Sequence, residues 1–189
     1  MMATLARSPP TAGLTTPTDL PVAHVDEHQS ITIRIATGTG TGPTRLAAFD
    51  AALASIGAER YNLVRLSSII PSAADIVDSD DLATLGDVGD RLHAVRAVAS
   101  TGNAEPATAG LGWARTDAGT GIFYEATATG TNAESSVEAD LAEGIEHGLD
   151  IRSWTADSRG TRLASTPGTD DGHACALVLA AYGDADAPW

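Results

Sequence analysis

Two adjacent serines, Ser67 and Ser68, sit where a strand-like run (Asn62-Leu63-Val64-Arg65-Leu66) meets Ile69-Ile70-Pro71. The chain has eleven arginines and no lysine, which gives the pair added weight. Enzymes that act on amino groups commonly use a carbonyl, often held through a lysine and a bound cofactor. No lysine is available here. A serine at a constrained turn offers another source of that carbonyl, by cutting the chain and becoming a pyruvoyl group. The flanking residues favour constraint: Ile69 and Ile70 are β-branched and stiff, and Pro71 holds Ile70 extended. Taken alone, the pair reads more simply as the end of a strand.

Other polar side chains extend the chemistry. Glu125 follows Gly121-Ile122-Phe123-Tyr124, so its carboxyl is expected to be partly desolvated. Desolvation favours the protonated form and suits a proton donor; the competing reading is a strand-edge carboxylate in water. Asp50 lies four residues after Leu46 and three before Leu53, which places it within the apolar stripe of a predicted helix. A carboxylate there needs a partner. That partner is either a substrate guanidinium held by paired hydrogen bonds or a structural arginine, such as Arg65 or one from a neighbouring protomer. Gly38-Thr39-Gly40-Thr41-Gly42 has the strand-before, helix-after context of a phosphate loop but lacks the Gly-Lys-Ser/Thr ending. Close backbone approach to a pocket or strand explains it better. The five histidines have no metal-ligand spacing except His24/His28, which reads as a solvated pair, so no metal is expected. Cys175, the single cysteine, lies in an apolar run and reads as a core residue.

The elements that must position these residues follow from periodicity. Residues 1–29 are rich in Thr, Pro and Ala and read as a flexible tail. Residues 30–35 alternate at period two with three isoleucines on one face, and residues 37–42 read as a loop. A helix is predicted over 44–56, with Leu46, Phe49, Leu53 and Ile56 on its apolar side. Further strands are predicted at 62–66, 92–99, 108–114 and 122–129. Thr131 to Glu134 resembles a capping box, opening a helix with Val137, Leu141, Ile145 and Leu149 on one stripe. Residues 151–155 and 174–181 read as closing strands. This is one α/β domain, residues 30–189, with mixed or antiparallel sheets.

Composition narrows the function. The formal net charge is −14, which disfavours binding to phosphate backbones, hence no nucleic acid. The excess acid is spread along the chain and reads first as adaptation to high salt, then as a field that attracts a cationic substrate. No stretch is apolar enough for a membrane span, and the N-terminus lacks a signal peptide's pattern, so a cytoplasmic location is expected.

The segment Leu46-Ala47-Ala48-Phe49-Asp50-Ala51-Ala52-Leu53, the block Asn62 through Pro71, Gly121-Ile122-Phe123-Tyr124-Glu125 and Cys175-Ala176-Leu177 occur in one order. Together they resemble the pyruvoyl-dependent arginine decarboxylases, over roughly residues 31–182. The departures are modest: Ser72 stands where a second proline is common, and residues 72–100 match poorly. The resemblance implies a layered αββα sandwich and a homotrimer with active sites between protomers. It implies cleavage between Ser67 and Ser68, with Ser68 becoming the covalent pyruvoyl cofactor. It gives Glu125 as proton donor, Asn62 as a neighbour of the cleavage site, and Asp50 and Leu46 as substrate-binding residues. The implied reaction is decarboxylation of arginine to agmatine, in polyamine biosynthesis. Alternatives are a decarboxylase of another amino acid, or an uncleaved, non-catalytic trimeric binding module of the same fold.

Overall fold

A computed structural model describes residues 30–102 and 104–187; the predicted tail and the His24/His28 pair lie outside them. Nine strands and two helices follow in the order β1 (Ile31–Gly42), α1 (Arg45–Ala54), β2 (Asn62–Arg65), β3 (Ile69–Ile70), β4 (Ala74–Asp78), β5 (Arg91–Gly102), β6 (Ala107–Arg115), β7 (Gly121–Thr129), α2 (Ala133–Arg152), β8 (Ser158–Thr166) and β9 (His173–Tyr182). They form two sheets, ordered β2-β5-β9-β1-β4 and β3-β7-β6-β8. The first is mixed, with β1/β4 and β2/β5 parallel; the second is antiparallel.

The sheets pack face to face and each carries one helix on its outer side, which gives the expected αββα layering. Strand β9 shows how this follows from sequence. Its even residues (Ala176, Val178, Ala180, Tyr182) enter the core between the sheets. Its odd residues (Cys175, Leu177, Leu179, Ala181) enter the core beneath α1. A strand covered on both faces must be apolar throughout, as this one is. Burial pushes the Cys175 thiol above its ordinary pKa, partly offset by a hydrogen bond with Ser100. Helix α2 buries the predicted stripe of Val137, Leu141, Ile145 and Leu149. No helix among the described residues is long and apolar enough to cross a membrane.

Several predicted elements are corrected. Residues 37–42 are the second half of β1 rather than a loop. A Cβ on Gly42 would fall 2.7 Å from the Ala48 amide nitrogen, and one on Gly40 would overlap the backbone of Ala48 and Ala52. The glycines let α1 lie directly on the strand. The helix therefore settles on Ala48, Ala52 and Leu53; of the predicted stripe Leu53 and Ile56 are buried, Phe49 is half-buried, and Leu46 is not part of the contact. Leu46 is left 75% exposed, and Asp50, one turn further along the same face, is exposed too. Thr44 caps α1, its hydroxyl accepting from the Ala47 amide at 3.1 Å.

The Thr131–Glu134 capping box does not form. The cap of α2 is Asn132, without a side-chain capping bond. Residues 151–155 are not a strand: α2 continues through Arg152 and stops at Ser153 in the left-handed region. The strands missed were β3, β4 and β8. All three lie at sheet edges: β3 has only two residues, and in β4 and β8 polar side chains hide the alternation; an Asp78–Arg162 ion pair ties the edges of β4 and β8 together.

Candidate active site

Strand β2 ends at Arg65, and the chain crosses from the first sheet to the second through Leu66, Ser67 and Ser68 before entering β3. At the crossing the Ile69 amide donates to the Ser67 carbonyl at 2.7 Å. A bond between residues two apart defines a γ-turn, with Ser68 at its centre. Among the described non-glycine residues only Ala104 and Ser153 have positive φ, so the turn is the common inverse form. The expected constraint is thus supplied by hydrogen bonds rather than by a left-handed backbone. The Phe123 amide donates to the Ser68 carbonyl at 2.8 Å, and the Tyr182 hydroxyl donates to the Ile69 carbonyl at 2.9 Å. Ile70 is fully buried in the inter-sheet core. Three consecutive carbonyls, at residues 67, 68 and 69, are each held by a protein donor.

This turn opens onto a cavity of about 690 Å³ lined by Arg65, Ser67, Ser68, Phe123, Glu125 and Arg152, among others. Ser67 is exposed and Ser68 half-buried. Glu125, on β7, has a side chain 21% exposed, partly shielded as expected. Its carboxylate accepts from the Arg65 guanidinium at 2.7 Å. That pairing answers the sequence alternative for Arg65: its partner is Glu125, not Asp50. Arg152 donates to the Gly148 carbonyl at 2.9 Å and lies 5.7 Å from the centre of the Trp154 ring. The cavity therefore holds two guanidiniums and one carboxylate that is already engaged.

The remaining candidates lie elsewhere on the chain. Asn62, at the far end of β2, donates its side-chain amide to the Gly89 carbonyl and does not line the cavity. Leu46 borders a separate apolar depression with Phe49, Arg96 and Val98, where the Arg96 guanidinium sits 5.1 Å from the Phe49 ring centre. A groove containing Arg65, Arg96 and Glu125 runs between the two sites. Asp50 has no ion-pair partner among the described residues, so no internal pair accounts for its charge.

Sequence reasoning missed the three donors that hold the turn. Two are backbone amides, which no residue type reveals. The third, Tyr182, stands 113 positions from its acceptor and one residue beyond the strand predicted at 174–181; continuing that strand by one residue was the only available signal.

Residues that would carry a pyruvoyl group at position 68 fit it on three counts. The carbonyl of residue 68, which such a group retains, already has a donor in Phe123. The atoms of residue 68 face open space. The strand that follows is anchored in the core.

The family model for pyruvoyl-dependent arginine decarboxylase matches residues 32–187. A pyruvoyl-dependent arginine decarboxylase of Halobacterium salinarum is 40% identical over 158 residues, covering 82% of this chain and 95% of the relative. One from Thermococcus kodakarensis is 30% identical over 120 residues, covering 64% of this chain and 74% of the relative. One from Methanocaldococcus jannaschii is 46% identical over 46 residues, covering 24% of this chain and 28% of the relative.

Proposed function

The chain belongs to the pyruvoyl-dependent arginine decarboxylase family, and from that premise we propose that it converts L-arginine to agmatine and CO2 after cutting itself between Ser67 and Ser68. The observation that carries the proposal is the held Ser67 carbonyl, with Ser68 beside an open cavity.

The cut draws on groups already in place. The Ser68 hydroxyl attacks the Ser67 carbonyl carbon, and the Ile69 amide stabilises the charge that develops on the carbonyl oxygen. The C–N bond then breaks and leaves an ester. Loss of the Ser68 Cα proton and cleavage of the Cβ–O bond release Ser67 as a carboxylate and leave dehydroalanine. One water enters and one ammonia leaves, which gives the ketone of the pyruvoyl group. Once formed, that ketone would supply the electron sink for decarboxylation of an α-amino acid, with the Phe123 amide holding the carbonyl beside it. Glu125, at the edge of the same cavity, supplies the proton to the α-carbon, and Arg65 orients its carboxyl.

The substrate's own guanidinium needs a carboxylate, and Glu125 is already paired. Asp50 and Leu46 supply the missing wall from a neighbouring protomer of a homotrimer. An exposed leucine beside an unpaired carboxylate on a helix surface supports that placement. The trimer works in the cytoplasm, where a free amino acid is at hand.

Intact-mass measurement of the purified chain tests the cut. Two fragments are expected, ending at Ser67 and beginning at residue 68 with a ketoacyl terminus, while Ser68→Ala remains one chain without activity. An uncut wild-type chain after long incubation in concentrated salt refutes the proposal and leaves the uncleaved binding module in its place.

A further inference from the structure

We infer that the Tyr182 hydroxyl is a positioning group for the self-cleavage, tethering the cut-bearing turn to the opposite sheet. The inference rests on the reading of Ser67–Ser68 as the cleaved bond. Strand β3 is two residues long and pairs only with β7. Two ladder positions hold a segment weakly, because most sheet stabilisation comes from cross-strand neighbours. Attack by Ser68 nevertheless requires its hydroxyl to stay over the adjacent carbonyl carbon, and small displacements are costly.

Tyr182 provides the second attachment. It ends β9 in the first sheet, is 8% exposed, and points into the inter-sheet core. Its ring packs edge-on against Phe123 at 6.3 Å between centroids, and Phe123 packs in turn on Trp113 at 6.0 Å. The hydroxyl therefore sits at the end of a rigid aromatic row, and it donates to the carbonyl immediately after the turn. Burial raises the phenol's pKa above its ordinary value, so the donor proton is retained at neutral and moderately alkaline pH. The peptide between residues 68 and 69 is fixed at both ends: its carbonyl by the Phe123 amide, its own amide on the Ser67 carbonyl. Tyr182 fixes the next peptide, and so prevents this unit from pivoting about Ile69.

A second buried tyrosine supplies the control. Tyr61 is 7% exposed and its hydroxyl donates to the Leu82 carbonyl at 3.0 Å, in the core beneath α1 and away from the turn. Tyr182→Phe and Tyr61→Phe each remove one buried donor and keep the ring. The experiment follows conversion of newly translated full-length chain into the two fragments, with thermal midpoints measured alongside. Tyr182→Phe is expected to cut about tenfold more slowly, equivalent to ~1.4 kcal/mol in the barrier, while Tyr61→Phe cuts at the parent rate. Both variants are expected to lose similar thermal stability. Replacing Tyr182 by 4-aminophenylalanine, which keeps a donor at the ring's para position, is expected to restore the rate. Parent-rate cutting by Tyr182→Phe, or equal slowing by Tyr61→Phe, overturns the inference and leaves the decarboxylase reading intact. A parent chain that never cuts overturns both.

Discussion

If two protomers build each active site, two inactive variants must rescue one another. Ser68→Ala removes the precursor of the ketone. Asp50→Ala removes the carboxylate assigned to the substrate guanidinium. The cavity beside Ser68 offers that guanidinium no anion of its own, because Glu125 already accepts from Arg65 at 2.7 Å and Arg152 adds a second positive group. A two-pronged, charge-assisted pair is worth about 2–3 kcal/mol, so Asp50→Ala should lower kcat/KM by roughly 30- to 150-fold. Self-cleavage of that variant should proceed normally, since Asp50 lies on α1, outside the turn that carries the cut.

The two variant chains are unfolded together in equal amounts, reassembled, and assayed for CO2 released from labelled arginine. When each site draws residue 68 from one copy and residue 50 from its neighbour, random trimers contain about a quarter of sites with both groups intact. Activity should rise to about a quarter of the reassembled parent, against a few per cent for Asp50→Ala alone. Activity no higher than the mean of the separately reassembled variants refutes the shared site, because residues 50 and 68 would then have to come from one chain.

Glu125→Gln should still cut at 67/68 but lose ~10²-fold or more in decarboxylation. Its thermal midpoint should barely change, because Arg65 is 68% exposed and an ion pair so screened contributes under about 1 kcal/mol; unchanged turnover would remove Glu125 from the proton step. Gly40→Ala should destabilise the fold by ~2–3 kcal/mol, lowering the midpoint by about 5–10 °C, because its Cβ would overlap the backbone of Ala48 and Ala52. A midpoint equal to the parent's would show that α1 is not seated on that strand as described. Raising potassium chloride from about 0.1 to 2 M should raise the thermal midpoint, since few of the acidic residues have an ion-pair partner among the described residues and screening relieves their repulsion. A midpoint that falls over that range would remove salt adaptation as the reason for the charge of −14.

The sequence was most legible where side-chain size and position agree. Strand β9 is apolar at all of its buried positions, and helix α2 buries the large stripe Val137, Leu141, Ile145 and Leu149, so their buried faces could be read directly. The Ser67–Ser68 pair was legible in type, through its isoleucines, its proline and the missing lysines. Its turn was not, because the decisive donors are two backbone amides and a tyrosine far along the chain. Helix α1 shows a different failure, and one misreading caused another. Alternating Gly and Thr suggested a loop at 37–42, since glycine weakens a strand. In the folded chain those glycines sit opposite the helix, and the absence of their side chains is what allows close contact. A helix that rests on a bare strand presents its smallest residues to it, here Ala48 and Ala52. The large residues Leu46 and Phe49 were therefore a poor guide to its buried face, and Asp50 was placed inward when it lies outward. The correction also changes what Asp50 implies. An inward carboxylate left a partner within its own chain open beside a substrate, whereas an outward one, one turn from a leucine that is 75% exposed, calls for a partner beyond the chain.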